Sequence, residues 1–336
     1  MISKSVKVIC VTPIKNEAWI LDRFLTAASL WADHIIIADQ MSTDGSRAIA
    51  QKFSKVILID NNSEEFNEPE RQKLLINEAR KIAGPKLLIA IDADEMFTPN
   101  ILYSEEWKNV LNSKPGTLIK FQWANLRPDF KTMWFGDYFP WGYMDDGKEH
   151  TENNKIHSGR IPIPKNSPIL EIKEIKLMHF QYTNWKRMES KHNWYQCYER
   201  VVYPHRSAVD IFRGYHHMYS LNKEQIIQTP IKWISDYKEL GINIKSNFND
   251  GLIWFDEKTL DLMDEYGVAY FKNIAIWKRD WQKIAKTYKR LNFKDYKDPR
   301  TILDKIIHIW FWRTQSVFQQ KYYSKVDQKI KKFLSY

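Results

Sequence analysis

The first hundred residues repeat one pattern: a short β-branched apolar run, a polar turn, then apolar residues spaced three and four apart. The runs are VKVICV (6–11), HIIIA (34–38), KVILI (55–59) and KLLIAI (86–91). Runs of this length without polar alternation fit strands buried on both faces of a sheet. Between them, NEAWILDRFLTAASLW has the period of an amphipathic helix, and STDGSRAIAQKF opens with good N-cap residues. NEPERQKLLINEARKIAG supplies a third helix, ended by Gly84 and Pro85. Strands alternating with helices imply right-handed crossovers and a parallel sheet.

After residue 100 the pattern changes. GTLIKFQW reads as a further strand, whereas 125–168 reads as irregular, aromatic and rich in Gly, Pro and Asp, the composition of a long functional loop. From about Trp185 the periodicity is mostly helical. It runs through NWKRMESKHNWYQCYERV, DEKTLDLMDEY, VAYFKNIAIWKRDWQKIAKTYKRL and the final PRTILDKIIHIWFWRTQSVFQQKYYSKVDQKIKKFL. The expected organisation is an α/β half over 1–100, an acceptor-side part over 101–220 and a helical region over 221–336.

In such a sheet, ligands sit beyond the carboxyl ends of the strands. That edge receives Glu17, Asp39, Asp60, and Asp92 with Asp94. Acids crowded at one edge repel one another unless a cation or ligand donors compensate them. Residues two apart in an extended segment point the same way, so Asp92 and Asp94 can present oxygens to one side. Carboxylate oxygens suit Mg²⁺ or Mn²⁺, with water and phosphate oxygens filling the other positions. A lone Asp-x-Asp is a weak signal that also suits a turn or a helix cap; its place after the fourth strand of a βα series makes it a strong one.

Bulk properties narrow this little. The chain has 336 residues and a formal charge of +10. Its basic residues are spread along the sequence, so the charge alone does not argue for nucleic acid. Cys10 and Cys197 stand far apart, which suits a reducing compartment. The N-terminal apolar run is broken too early for a signal peptide, and no stretch reaches the roughly 18 apolar residues of a spanning helix. The expectation is a cytoplasmic protein.

The segment VTPIKNEAWILDRFLTAASLWADHIIIADQMSTDGS, followed by LLIAIDADE, resembles the family 2 nucleotide-sugar glycosyltransferases. That resemblance implies the GT-A fold, a Rossmann-like mostly parallel sheet flanked by helices, here with a helical C-terminal extension. Beyond residue 100 it thins, although HFQYTNWKRMESKHNWYQ is similar to members acting on bacterial surface glycans. The resemblance implies a nucleotide-diphosphate sugar donor. Glu17 and Asp39 would hold its nucleoside, Thr12 and Pro13 would line the base, and Arg71 would contact base or phosphate. Asp92 would approach ribose or metal, and Asp94 would be the principal ligand of Mn²⁺ or Mg²⁺. Many members carry two adjacent acids where Gln40 and Met41 follow Asp39 here, so base identity stays open. No Gln-x-x-Arg-Trp is present, which favours transfer of a single sugar over polymerisation.

Inverting transfer needs a base for the acceptor hydroxyl and a counter-charge for the leaving diphosphate. WGYMDDGKEH offers Asp145, Asp146 and Glu149 as bases. His179 is a candidate to complete the metal shell, and His157 and Arg160 in IHSGRIP are candidates for an anionic acceptor or phosphate. Trp141, with Trp123, Trp134, Tyr138, Phe139 and Tyr143, could offer faces to a sugar ring, and core packing would account for part of the cluster. The terminal segment joins IIHIWFW to Arg313, Lys321, Lys325, Lys329, Lys331 and Lys332, a pattern that suits peripheral contact with the inner face of an anionic membrane and a glycan or lipid-linked acceptor, or else packing on the catalytic domain. Two other readings are weaker. A nucleotidyltransferase of related fold would carry a glycine-rich loop where TPIKNEAW has none. A nucleic-acid binder would not line a sheet edge with acids.

Overall fold

The computed structural model describes residues 6–148, 156–245, 252–290, 295–334 and 336. These divide into two compact units, one of residues 1–184 with 227–249 and one of residues 185–226 with 250–336.

In the first unit, β1 (Lys7–Ile14), β2 (His34–Asp39), β3 (Val56–Asp60) and β4 (Lys86–Ala90) are the four apolar runs. They pair in parallel in the order β3-β2-β1-β4. Between them lie α1 (Leu21–Ala28), α2 (Ser46–Ala50) and α3 (Glu68–Arg80). Alternation along each strand decides which helix it meets. Cys10, Ile35, Ile37, Leu87 and Ile89 face one way and pack with Leu21, Phe24 and Leu25 of α1. Ile9, Val11, Ile36, Leu88 and Ala90 face the other way, against Leu75, Ile76 and Ala79 of α3. The start of α3 is set by Asn67, whose side chain accepts from the Glu70 amide, with Pro69 in the first turn.

The sheet continues through β5 (Glu95–Phe97), β6 (Leu118–Leu126), β7 (Thr132–Met144), β8 (Ile169–His179) and β9 (Ile227–Gln228). The order beyond β4 is β7-β6-β8-β5, with β9 on β7. α4 (Glu105–Leu111) lies between β5 and β6, and α7 (Ile231–Glu239) follows β9. The boundary expected at residue 100 therefore falls inside one sheet. The irregular segment expected from 125 contains instead the thirteen-residue β7. Its Pro140 pairs with Lys120, where the β6–β7 register shifts, so a residue without an N–H sits at an irregularity in the ladder.

The second unit is helical, with α5 (Trp185–Val202), α6 (Ala208–Tyr215), α8 (Trp254–Tyr266), α9 (Trp281–Thr287), α10 (Ile302–Thr314) and α11 (Lys321–Leu334). The helical periodicity over 268–291 resolves into a short 3₁₀ turn at Val268–Phe271 and α9. Phe212, Phe271, Trp281 and Phe311 fill the core of this unit. Arg213 of α6 ties α10 to α11 from within. Its Nε donates to Asp327 Oδ2 at 2.9 Å, Nη2 to Thr314 Oγ1 at 2.8 Å and Nη1 to the Phe311 carbonyl at 2.8 Å. A buried guanidinium with this many acceptors is satisfied rather than stranded.

Packing around Gly142 of β7 leaves no space for a side chain: a Cβ there would lie 2.8 Å from Ile119 Cβ and 3.1 Å from Ile89 Cδ1. Gly142→Ala should lower the urea midpoint by an amount equivalent to about 1–3 kcal/mol, and an unchanged midpoint would contradict the close approach. Burial also pushes the His216 and His308 imidazoles down, to about 3 and about 4. The unfolded chain takes up these protons near pH 6.5, while the folded chain resists until about pH 4 or below. The stability these rings contribute is complete above pH 6.5 and is lost as pH falls toward their folded values. Replacing both with Gln should flatten the decline of the urea midpoint between the ordinary imidazole range and about pH 4; an identical slope would refute this assignment.

Candidate active site at the carboxyl edge of the sheet

The chain leaves β4 at Ala90 and passes through Asp92 and Asp94 before Glu95 opens β5. β5 pairs antiparallel with β8, with Glu95 opposite His179, and the Asp94 carbonyl accepts from the Phe180 amide at 2.8 Å. This pairing carries His179 to the Asp-x-Asp segment, with its Nε2 3.9 Å from Asp94 Oδ2. The ring is held from two sides. Nδ1 and Asn125 Oδ1 are 2.9 Å apart, and the ring stacks on Trp123 with centroids 4.9 Å apart. An amide oxygen only accepts, so Nδ1 is the donor in that contact, and Nε2 is directed at Asp94.

Glu95 lies beneath the acids, fully buried. Its Oε2 accepts from the Asp92 amide at 2.8 Å and from Arg160 Nη1 at 2.5 Å, and its Oε1 accepts from Trp123 Nε1 at 2.8 Å. Arg160 also reaches Asp92 Oδ2 through Nη2 at 2.7 Å. Burial pushes the Glu95 carboxyl up to about 7, against the opposing pull of Arg160, with Asp92 and Asp94 adding to the rise. Burial acts against the Arg160 charge, and Asp92 and Glu95 outweigh it and raise its pKa. Arg160 is delivered by a segment pinned to α3. The Ser158 amide donates to Glu68, Gln72 donates to the Gly159 carbonyl, and Ile161 is fully buried.

The β1–β3 side of the edge is equally ordered. Thr12 donates to the Ile91 carbonyl at 2.8 Å, tying β1 to the start of the Asp-x-Asp segment, and Pro13 lies beside Ala38. Asp39 ends β2 in register with Ile14 and Asp60, and Arg47 bridges Asp39 and Asp60 at 3.3 and 2.6 Å. Glu17 accepts from Trp19 Nε1 at 2.5 Å, and its amide donates to Ser46 Oγ. Arg71 lies over the Phe66 ring at 4.5 Å with Glu68 at 3.7 Å, and its Nε is buried without a hydrogen-bond partner among the described residues.

Residues 9–107, from the first strand through the Asp-x-Asp segment into α4, match the family described as Glycosyl transferase family 2. This segment is a glycosyl transferase family 2 domain. The domain therefore holds the predicted donor-side residues and both acids, whereas Arg160, Asn125 and His179 come from outside the matched segment. Solved structures similar to parts of the chain include HddC from Yersinia pseudotuberculosis, at 12% identity and TM-score 0.31 over 52% of this chain and 93% of that one. Mannose-1-phosphate geranyltransferase from Thermus thermophilus matches at 12% identity and TM-score 0.26, over 41% and 50% of the two chains. A 4-diphosphocytidyl-2C-methyl-D-erythritol synthase matches at 12% identity and TM-score 0.26, over 52% and 74%.

Not every residue predicted for the site lies at this edge. Asp145 follows β7, and its amide donates to the carbonyl of Lys86, the first residue of β4. That is the amino edge of the sheet, a whole strand away from the Asp-x-Asp segment, roughly 16 Å at ~3.3 Å per residue. There Asp145 is held by Arg80 from the end of α3, at 2.8 Å from Nη2 and 3.2 Å from Nε. Asp146 caps the Lys148 amide at 3.0 Å. Both are turn residues, and their assignment as the transfer base is corrected on this ground. Glu149 lies outside the described residues. His157 is exposed with a left-handed φ of 60°, three residues before Arg160. Trp141 is buried in the core, in a cluster with Trp123 and Phe139 and with its ring 5.7 Å from the Arg160 guanidinium carbon. Residues not singled out for the site from the sequence are Glu95, Asn125 and Arg47, whose partners are far away along the chain or mutually dependent.

Asp145→Asn should lower thermal stability through loss of the Arg80 pair and leave nucleotide affinity within about twofold, since a site roughly 16 Å distant is screened from it. Titration calorimetry of the variant checks this, and a large loss of affinity would return Asp145 to the site.

Proposed function

We propose that the protein is a metal-dependent, inverting glycosyltransferase that moves one sugar from a nucleotide-diphosphate donor to a glycan or lipid-linked acceptor. The observation that carries the reading is the meeting of Asp94 and His179 at the carboxyl end of β4, inside a family 2 domain's strand order. A carboxylate oxygen and an oriented imidazole nitrogen are suitable donors for Mn²⁺, and a divalent ion of this kind usually takes one or two protein carboxylates with water and phosphate oxygens. Among the described residues no group of three or more His, Cys, Asp and Glu side chains is placed to hold a metal ion, so the reading needs the donor diphosphate to supply the remaining oxygens. Asp94 and His179 would hold the ion, and the ion would neutralise charge on the leaving diphosphate.

Other residues of the chain serve binding. Asp39, locked by Arg47, offers its carboxylate to ribose or base, and Arg71 has a buried Nε available for base or phosphate. Arg160 provides a fixed positive charge beside Asp92, suited to a phosphate oxygen. Phe139, exposed beside Trp123 and the buried Trp141, offers an aromatic face to the apolar side of a sugar ring. Among the described residues no helix is long and apolar enough to cross a membrane.

Thermal-shift screening of nucleoside diphosphates and sugar nucleotides, with and without Mn²⁺, tests the reading. One nucleotide should raise the melting temperature in a Mn²⁺-dependent way, and Asp94→Asn should remove the Mn²⁺-dependent part. Stabilisation that is the same in chelator and in Mn²⁺ would sink the metal role, and absence of a shift with every nucleotide would sink donor binding.

A further inference from the structure

The second unit carries a surface that the transfer reaction does not use. On α10, Ile302, Leu303, Ile306 and Ile309 are 81, 52, 57 and 51% exposed. At about 100° per residue, Ile302, Ile306, Ile309 and Arg313 fall within an arc of roughly 60°. This apolar stripe is therefore the outward face of the helix, while Ile307, His308 and Phe311 face the core. Adjacent α11 packs through Trp310, whose Nε1 donates to Asp327 at 3.0 Å and whose ring lies 5.8 Å from Tyr323. Its outward face shows Lys321, Lys325, Lys329 and Lys332, within roughly 80° by the same geometry, flanked by exposed Tyr322 and Phe333.

The two helices sort their charges by sign. Their acids, Asp304 and Asp327, are both buried, Asp304 capping Thr301 and bonded to Tyr336, Asp327 held by Arg213 and Trp310. The exposed charges of α10 and α11 are Lys305, Arg313, Lys321, Lys325, Lys329 and Lys332, all positive; the fifth lysine of α11, Lys331, is partly covered and pairs with the half-exposed Asp210 of α6 at 2.5 Å. An exposed aliphatic stripe on α10 and a lysine face on α11 that itself carries no exposed carboxylate match a surface that offers hydrocarbon beneath anionic headgroups.

We propose that α10 and α11 dock on an anionic lipid bilayer, the isoleucines of α10 entering the headgroup–acyl boundary and the lysines of α11 lying over the phosphates. The inference rests on this unit alone and does not depend on the transfer reading.

Flotation of the full chain with vesicles tests it. Vesicles of phosphatidylcholine and phosphatidylglycerol in equal parts should carry the protein to the top of the gradient, and vesicles of phosphatidylcholine alone should not. Neutralising Lys325 and Lys329 to Gln should weaken partitioning about fivefold per residue. Ile306→Asp with Ile309→Asp should abolish it while leaving the circular dichroism spectrum native; Ile306→Ser with Ile309→Ser serves if the aspartates disturb α10. Equal partitioning into both vesicle types, absence from both, or indifference to the isoleucine variants would each overturn the proposal. So would a concentration-dependent dimer dissolved by the isoleucine variants, which would make a second copy the occupant. Duplex DNA binding that needs the lysines but not the isoleucines, with no flotation, would make nucleic acid the occupant instead.

Discussion

The site depends on the burial of one carboxylate. Glu95 is fully enclosed, and a charge in that position is tolerated only when every oxygen has a donor. Its donors come from three separate stretches of chain: the Asp92 amide beside it, the Trp123 indole on β6 and the Arg160 guanidinium on the segment after β7. Removing one partner of a buried pair costs about 3–5 kcal/mol, against a total stability on the order of 5–15 kcal/mol. Arg160 is partly exposed, so its share is smaller than that of an enclosed partner. The arrangement is nevertheless strongly constrained, and the constraint fixes Asp92, Trp123 and Arg160 together before any ligand arrives.

The sheet separates its acids by edge. At the carboxyl edge, Asp39, Asp92, Asp94 and Glu95 are met by Arg47, Arg160 and His179. At the amino edge, Asp145 is closed off by a single arginine and is almost completely covered. Carboxylates that look alike in the sequence thus serve opposite ends of the same strands. The difference lies in the strand direction: β7 runs against β4, so a residue after β7 arrives where β4 begins.

The β1–β4 half of this architecture was legible because its signals are local. Four apolar runs, joined by three helices, stand in the sequence as the crossover rule requires. The edge acids follow from the strand ends with no further information. β7 was not legible, since TMWFGDYFPWGYM hides its alternation behind aromatics on both faces and a proline at a register shift. The misplacement of Asp145 and Asp146 follows from that, because without β7 nothing gives their edge. His179 could be picked out by residue type, but its support by Asn125 and Glu95's place beneath the acids arise from pairings between distant strands, which leave no trace in local periodicity.

The strand order has one more consequence. On a flat sheet β4 and β5 would be four interstrand steps apart, about 19 Å at ~4.8 Å each. The chain from Ala90 to Glu95 spans at most about 18 Å when drawn straight, and the hydrogen bond from the Glu95 amide to the Asp92 carbonyl shortens it further. The sheet must therefore curl until its two ends come within that span, with Asp92 and Asp94 on the short chord across the opening. The same few peptide units that present the acids also set the curvature, so this segment has no freedom to lengthen without unrolling the sheet that supports it.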